Sequence, residues 1–291
     1  MAGARLSEPL FLPGTTLGTT YTVEAFLGAG AFGQVYRVTH RYLGRQALKV
    51  FPPGGLDPAR DFFHEARVLV ALTHPNIVRI FDANVVETAY GPLPYLAMEY
   101  IDGETIRQML QRRVRLGLAE ANALAEDLCA GLSEAHRLEP ALLHLDLTTD
   151  NILVTDQGGR LHAKIADFGI AAQVHPITRM ARAQGTFYFM APEMFGGYAT
   201  PASDVYMLGF IIYWLYAGLP PYPVPTLPEG ASTQDWADAI QHSRTTPAPP
   251  LGRFRLDIPA EVTELVAKAL SPDPNHRFPN AMMFWAALRG V

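Results

Sequence analysis

Hydrophobic and polar positions follow two different spacings along this chain. Between Tyr21 and Ile101, short runs rich in β-branched and aromatic residues are separated by polar or glycine-containing turns, a pattern typical of strands. Residues 62–70 are an exception, because their apolar positions recur at the spacing of a helix. From residue 103 onward the spacing is mainly helical. The pattern therefore predicts a β-rich first part with one helix and a mostly helical second part.

Two segments of the second part are predicted to be buried helices. Leu118 to Arg137 carries small and apolar residues on one stripe. The run from Met207 to Gly218 is apolar but too short to span a bilayer. Residues 1–18 are rich in glycine, proline and threonine, and we expect them to form a loosely held tail.

A hairpin is predicted within this second part. Ile152-Leu-Val154 forms its first strand, Asp156-Gln-Gly-Gly159 its turn and Ala163-Lys-Ile165 its second strand. The open end then carries Asn151 and Asp167, with Asp146 on the preceding loop. Each of these polar residues alone is an ordinary solvated loop residue. Three oxygen-bearing side chains together suit a magnesium ion and a base that orients a hydroxyl group.

The segment Gly28-Ala-Gly-Ala-Phe-Gly33 has the spacing of a phosphate-binding loop, which is a weak signal by itself. Dinucleotide-binding folds need a helix directly after such a loop. Here Gln34 to Thr39 is β-branched and aromatic, so the glycines join two strands. A glycine-rich hairpin tip lets main-chain amides approach a triphosphate without interference from side chains.

Composition and charge narrow the class of protein. The 291 residues are 49% hydrophobic and 18% charged, which indicates a packed globular protein, and the net charge of −5 gives no reason to expect nucleic acid as a partner. The N-terminus lacks a signal-peptide pattern, and no transmembrane run is present in the sequence. Cys129 is the single cysteine, so no intrachain disulfide can form, and a reducing cytoplasmic location is expected.

Taken in order, these motifs resemble those of protein kinases over about residues 20–290. The series includes the glycine loop, Lys49, Glu65 in the helical stretch, Asp146 with Asn151, and Asp167-Phe-Gly169. The resemblance is to eukaryotic-like (Hanks-type) serine/threonine kinases of bacteria. It implies an α+β, bilobal kinase fold: a tail over 1–18, a five-stranded antiparallel β lobe with one helix over about 19–98, a hinge near 99–103 and a larger, mainly helical lobe over 104–290.

The resemblance also implies roles for particular residues. Asp146 would orient the acceptor hydroxyl group as the catalytic base, Lys49 and Glu65 would pair to hold the phosphates, Thr148 would stand beside the transferred group, and Asn151 and Asp167 would bind Mg²⁺. ATP would contact sixteen residues: Leu27, Gly28, Ala29, Gly30, Ala31, Phe32, Gly33, Val35, Ala47, Lys49, Met98, Glu99, Ile101, Asn151, Leu153 and Asp167.

The family pattern extends beyond Asp167. Thr186 matches the threonine that separates serine/threonine kinases from tyrosine kinases, and Ala191-Pro-Glu193 closes the activation segment. Asp204 matches a buried carboxylate that holds the main chain of the catalytic loop, which is the segment His144–Asn151 here. Glu193 is expected to pair with Arg277, and both roles are structural.

Two residues depart from the family pattern. Leu145 stands where most kinases have arginine, and Thr148 stands where they have a lysine. Tyrosine kinases carry an arginine two residues after that lysine position, but this chain has Asp150. A positive charge beside the transferred phosphoryl group is therefore missing, with no obvious substitute nearby in the sequence.

Three functions remain open at this point. The first is an active kinase that phosphorylates serine or threonine in protein substrates. The second is an ATP-binding pseudokinase that acts as a scaffold or allosteric partner. The third, phosphorylation of a small molecule, fits less well, because such relatives generally lack the Gly-Thr and Ala-Pro-Glu segment. No nucleic acid or membrane partner is expected, and a homodimer through the kinase lobes is left open.

Overall fold

The computed structural model describes residues 8–30, 33–51, 62–88, 91–113, 115–168, 186–228 and 230–291. The chain divides into two compact units. The first comprises Met1–Thr73 with Val78–Asp102, and the second comprises His74–Ile77 with Gly103–Val291.

The first unit is built on an antiparallel sheet with the strand order β1-β2-β3-β4-β6-β5. Its helix α1 spans Phe62–Ala71. Five strands were predicted, and the sixth is the two-residue β1. The strands are β1 (Thr16–Leu17), β2 (Tyr21–Gly30), β3 (Gly33–His40), β4 (Gly44–Val50), β5 (Ile80–Thr88) and β6 (Gly91–Glu99).

The N-terminal segment differs from its prediction as a loose tail. In the described part, Leu17 of β1 pairs with Tyr21 of β2, and the side chains of Phe11 and Leu17 are buried in the core of the sheet. The carbonyl oxygen of Glu8 accepts a hydrogen bond from Gln34 at 2.8 Å. The segment from residue 8 to residue 17 is therefore attached to the sheet of the first unit through its buried side chains.

The second unit is mainly helical. Helix α3 (Leu118–His136) is the predicted helix with its apolar stripe buried, and helix α4 (Pro201–Ala217) contains the predicted apolar run. Helix α4 ends at Ala217, and Gly218, which follows it, has a φ of +76°, a left-handed conformation that favours glycine. The helices are α2 (Ile106–Arg112), α3 (Leu118–His136), α4 (Pro201–Ala217), α5 (Thr233–Ser243), α6 (Ala260–Ala269) and α7 (Ala281–Arg289).

A small antiparallel sheet completes the second unit. Its order is β7-β8-β9, in which β7 spans Glu104–Thr105, β8 Ile152–Gln157 and β9 Arg160–Ile165. The predicted hairpin is the pair β8 and β9, and its turn is formed by Gly158 and Gly159, both with positive φ. Within the described residues, no helix is both long and apolar enough to cross a membrane.

Candidate active site

One face of the sheet in the first unit carries side chains predicted to bind the nucleotide. Val35 of β3 pairs with Lys49 of β4, which pairs in turn with Leu96 of β6. Ala47 pairs with Met98. Because directly paired residues of antiparallel strands point to the same face, these five side chains share one face. The alternate residues of each strand point to the hydrophobic core on the other face.

Lys49 is not an ordinary surface lysine. Its exposed fraction is only 5%, and its Nζ lies 5.9 Å from the centroid of the Phe51 ring. Lysine is rarely buried to this extent, because burial of an ammonium group is costly unless charge or hydrogen bonds compensate it. The burial of Lys49 is therefore consistent with its predicted place at the nucleotide phosphates. Glu65 belongs to α1, but its side chain lies outside the described residues. The Lys49–Glu65 pair therefore stays a prediction.

The glycine-rich segment joins two strands, as predicted. Gly30 at the end of β2 pairs with Gly33 at the start of β3, and the tip residues 31 and 32 lie outside the described residues. Gly33 has a φ of +157°, and a Cβ atom there would lie 2.3 Å from the carbonyl oxygen of Val50. Only glycine fits this position, because the backbone of β4 occupies the place of a side chain.

Five more of the predicted nucleotide residues lie in the first unit, on β2 or at and just after the end of β6. Leu27, Gly28 and Ala29 belong to β2, and the side chain of Leu27 is about half exposed. Glu99 ends β6, and Ile101 follows two residues later. The remaining one, Leu153, lies on β8 in the second unit.

The open end of the β8–β9 hairpin brings the predicted polar residues together. Ile152 pairs with Ile165, and the N–H of Ala166 donates to the carbonyl oxygen of Asn151 at 2.8 Å. The side-chain amide of Asn151 donates to the Asp146 carbonyl oxygen at 2.8 Å and to its carboxylate at 3.1 Å. Asp167 follows Ala166 directly. The candidate base and both candidate metal-binding residues are thus linked through the end of one hairpin.

The donor set at this hairpin end fits a magnesium ion. The Nδ2 group of Asn151 is occupied by Asp146, which leaves its Oδ1 atom to coordinate a cation. Asp167 adds a carboxylate. Mg²⁺ in phosphotransfer enzymes is typically held by one or two carboxylates together with substrate phosphates and water. Asp167 has a φ of +62°, a conformation that aspartate tolerates better than most residues.

His144 ties Asp146 to the segment before Asp167. Its buried ring accepts the N–H of Asp146 at Nδ1, at 3.2 Å, and bonds the carbonyl oxygen of Ala166 through Nε2, at 2.9 Å. This pattern assigns the neutral tautomer with the proton on Nε2. The Phe168 ring packs against it at 4.7 Å between centroids. The histidine therefore fixes the catalytic loop against the end of β9.

Asp204 anchors the same loop from the first turn of α4. Its carboxylate accepts the N–H of His144 at 2.7 Å and of Leu145 at 2.9 Å, and it contacts Nε2 of His136 at 3.0 Å. Leu145 has a φ of +60°, which costs a residue with a Cβ atom roughly 1–2 kcal/mol. Hydrogen bonds to a charged group contribute about 1.5–3 kcal/mol each. The carboxylate thus outweighs the strain that it imposes.

Thr148, one of the two departures from the family pattern, and the nearby Asp150 both form hydrogen bonds in the structure. Thr148 is buried, and its Oγ1 atom accepts the N–H of Asp150 at 3.3 Å within the loop. The carboxylate of Asp150 binds Nε of Arg107 at 2.6 Å, and the N–H of Arg107 donates to the carbonyl oxygen of Thr149 at 3.1 Å. The start of α2 is therefore docked on the loop, which the sequence did not reveal.

The expected pair of Glu193 and Arg277 is present. Two guanidinium nitrogens of Arg277 lie 2.8 Å from the two carboxylate oxygens of Glu193. The hydroxyl group of Ser203 donates to the same carboxylate at 2.6 Å. The Arg277 side chain is fully buried, so this pair holds the Ala-Pro-Glu segment to the core of the second unit.

The comparisons with known proteins agree with this arrangement. The model of the protein kinase domain matches residues 21–285. The chain therefore belongs to the protein kinase family. The expected α+β kinase fold is confirmed, with an antiparallel β-rich unit and a helical unit.

Bacterial serine/threonine kinases are among the relatives of the chain. The chain is 32% identical over 277 residues to the serine/threonine-protein kinase PknB of Mycolicibacterium smegmatis, covering 91% of this chain and 42% of PknB. It is 34% identical over 286 residues to the serine/threonine-protein kinase PknA of Mycobacterium tuberculosis, covering 96% of this chain and 62% of PknA. The chain thus spans less than two thirds of the length of both relatives.

A solved structure shows the same fold. The kinase domain of Mycobacterium tuberculosis PknI, crystallised as a double mutant, aligns with a TM-score of 0.69 at 29% identity. The alignment covers 97% of this chain and 99% of that one. The chain is therefore similar to a bacterial eukaryotic-like kinase domain over almost its whole length.

Proposed function

We propose that this domain transfers the γ-phosphoryl group of ATP to serine or threonine hydroxyl groups of proteins. The observation that carries the proposal is the contact between Asp146 and Asn151 at the hairpin end that leads into Asp167. Membership of the protein kinase family and the serine/threonine kinases among the relatives support it.

The chain's own residues suggest how the reaction proceeds. Asp146 accepts a hydrogen bond from the acceptor hydroxyl group and so orients its oxygen toward the γ-phosphorus. Asn151 and Asp167 would hold Mg²⁺, which neutralises phosphate charge when it is bound. Lys49 places a positive charge on the nucleotide face of the first unit. Catalysis of this type relies on positioning and on charge compensation more than on covalent steps.

Several hydrogen bonds hold the catalytic loop in the structure, which suits positioning catalysis. His144 and Asp204 fix the main chain on both sides of Leu145, and Asn151 fixes Asp146. The base is then held without rearrangement at the moment of reaction. Thr148 supplies a hydroxyl group in place of a cation, and we therefore propose slow turnover.

The neutral Thr148 also favours a second candidate, a nucleotide-binding pseudokinase. Such a protein would keep the nucleotide face and the metal-binding residues without transferring phosphate. Its role would be that of a scaffold or allosteric partner. The retention of Asp146 in contact with Asn151 favours the active enzyme, because a scaffold has no need of a base.

Radiolabelled ATP with magnesium and a generic basic protein acceptor tests the proposal. We expect wild type to label itself or the acceptor on serine or threonine. Asp146→Asn should reduce transfer by at least about 10²-fold, because the base is lost. Lys49→Met should abolish transfer while thermal unfolding stays cooperative. The scaffold function is supported instead if wild type binds ATP but transfers no more phosphate than Lys49→Met.

Two further properties are part of the proposal. The buried, unpaired thiol of Cys129 suits a cytoplasmic location. A homodimer through the kinase lobes stays a prediction, which sedimentation of the purified domain checks.

A further inference from the structure

Gln34 is a buried polar residue that the proposed reaction does not use. It follows Gly33 at the start of β3, and its exposed fraction is 2%. In the strand pairing it lies opposite Val50 of β4, so its side chain is on the face that carries the hydrophobic core. A side-chain amide is costly to bury unless it is hydrogen-bonded, and its partners therefore indicate why it is there.

The side-chain amide of Gln34 binds the N-terminal segment. Its Nε2 group donates to the carbonyl oxygen of Glu8 at 2.8 Å, and its Oε1 atom accepts the N–H of Leu10 at 2.9 Å. Pro9, between these two residues, has no N–H to satisfy. The amide thus serves the segment as a peptide group of a neighbouring strand would. A carboxylate or an apolar side chain of the same length offers no such pair of donor and acceptor.

Tyr36 strengthens the same contact. Its buried hydroxyl group accepts the N–H of Leu10 at 2.8 Å and that of Phe11 at 3.3 Å, and it donates to Oε1 of Gln34. Two side chains of β3, on one face of the sheet, therefore bind residues 8–11. We call these four residues the N-terminal brace.

The end of β2 that pairs with Gln34 is an exposed part of the glycine-rich hairpin. Ala29 is the residue that pairs with Gln34, and both Ala29 and Gly30 are exposed. The register of β2 shifts between Phe26 and Gly28, so this end lies beyond a β-bulge. Exposed residues gain little from core packing. The position of this end therefore depends on its pairing with β3, and the N-terminal brace holds β3 at that point.

We propose that Gln34 is a positioning residue for the nucleotide, because it ties the N-terminal brace to the strand pair from which the glycine-rich loop extends. The affinity for ATP would then depend on the brace. The inference rests on the proposed function in one respect, that the glycine-rich segment is the phosphate-binding loop. It assigns Gln34 no contact with ATP.

Titration calorimetry with ATP and magnesium tests this inference in Gln34→Met. The variant keeps the length of the side chain but cannot bind Glu8 and Leu10. We expect the Kd for ATP to rise at least fivefold. Turnover at saturating ATP should stay within about threefold of wild type, because the candidate base and metal-binding residues lie on the β8–β9 hairpin and its preceding loop.

A second variant removes the same contact from the other side. Leu10→Pro deletes the N–H that Gln34 and Tyr36 accept and leaves β3 unchanged. We expect a similar rise in the Kd for ATP. The double variant Leu10→Pro with Gln34→Met should exceed the larger single effect by less than about twofold, because both changes break one contact.

A matched control is available in Gln46. Its exposed fraction is also 2%, and it lies on the same face, since it is four residues before Val50 on β4. It pairs with Val38, and among the described residues its Oε1 atom has no hydrogen-bond partner. Gln46→Met should leave the Kd for ATP within about twofold of wild type.

General destabilisation of the first unit has a control of its own. Val86 is a buried residue of the same core, on the edge strand β5 at the other side of the sheet. We expect Val86→Ala to lower the melting temperature at least as much as Gln34→Met does, with the Kd for ATP within about twofold of wild type. An equal rise in Kd in Val86→Ala would overturn the inference.

Hydrogen exchange gives a readout that needs no ATP. The amides of residues 28–30 should exchange faster in Gln34→Met than in wild type, and not in Gln46→Met. Unchanged exchange, or an unchanged Kd for ATP in Gln34→Met, would overturn the inference while leaving the kinase function intact. A wild type that binds ATP without transferring phosphate would overturn the kinase function and not this role of Gln34. A wild type that binds no ATP would overturn both.

Discussion

At the scale of single residues, Thr148 sets the expected rate. Its Oγ1 atom accepts a hydrogen bond from Asp150 N–H, so the hydroxyl group also stabilises the loop. A neutral donor contributes about half as much as a charged one. Loss of one well-placed donor beside developing charge typically costs about 10²–10³ in turnover.

We therefore expect Thr148→Lys to raise turnover at least several-fold. The ammonium group would balance charge on the transferred phosphoryl group, whereas the ground-state contacts of ATP stay as they are. The Michaelis constant for ATP should be nearly unchanged. Steady-state kinetics on one acceptor, with Thr148→Met as a neutral control of similar length, provide the measurement.

The result can also contradict this expectation. Turnover in Thr148→Lys that is equal to or below wild type would mean that the loop is adapted to threonine. An equal gain in Thr148→Met would mean that side-chain length, and not charge, limits the reaction. Either outcome rules out the missing cation as the cause of slow turnover.

The same scale shows what the sequence could and could not reveal. The contact between Asn151 and Asp146 agrees with the proximity expected of residues that flank one short hairpin. The roles of these two residues and of Asp167 stay predictions. The hydrogen bond from the buried side chain of Arg244 to the carbonyl oxygen of Tyr188, at 2.6 Å, was not predicted, because the two residues are brought together only by the packing of α5. Helical periodicity describes which positions are buried, but it gives no signal for a buried cation at the end of a helix.

At the scale of elements, the catalytic loop depends on helices α3 and α4. Asp204 in the first turn of α4 binds the loop, and His136 at the end of α3 binds Asp204. Nδ1 of His136 accepts the N–H of Ala281, the first residue of α7, at 3.2 Å. Three helices therefore meet at one buried carboxylate. From the sequence, α3 was predicted only as a buried helix. Its contact with the catalytic loop through His136 was not predicted, because Asp204, the partner of His136, is 68 residues away in the sequence.

Asp204→Asn should uncouple the loop from this junction. The main-chain N–H groups of His144 and Leu145 bind different oxygens of the Asp204 carboxylate. The amide would keep an acceptor oxygen for one of them, and its N–H₂ group, a donor, would face the other. Without the charge, the left-handed conformation of Leu145 is no longer compensated. We expect turnover to fall at least tenfold, with ATP affinity nearly unchanged.

The matched control is Asp127→Asn. Asp127 is a buried carboxylate of α3 that accepts one main-chain N–H, that of Ala163, at 2.9 Å. Both variants should lower the melting temperature. Only Asp204→Asn should lower turnover per folded molecule, measured after circular dichroism has established the folded fraction. Equal turnover in the two variants would show that the anchor of the loop is dispensable.

At the scale of the whole molecule, the division into a β-rich and a helical unit followed from the change in hydrophobic spacing. The N-terminal segment was the part that spacing could not place. Its composition of glycine, proline and threonine is that of a loop, and its buried residues Phe11 and Leu17 are too far apart to form a period. Single anchoring side chains carry no periodic signal.

The burial of this segment has a consequence for stability. The Phe11 ring lies 5.4 Å from the Tyr36 ring between centroids, and the hydroxyl group of Tyr36 accepts the N–H of Leu10 at 2.8 Å. Removing a buried phenylalanine side chain typically costs about 3–5 kcal/mol, from lost burial and from the cavity. Phe11→Ala should therefore lower the free energy of unfolding by about 3 kcal/mol, measured by urea titration. Leu12→Ala, at a neighbouring position that is 68% exposed, should change it by less than about 0.5 kcal/mol. Similar values for the two variants would mean that the segment does not contribute to the core of the first unit in solution.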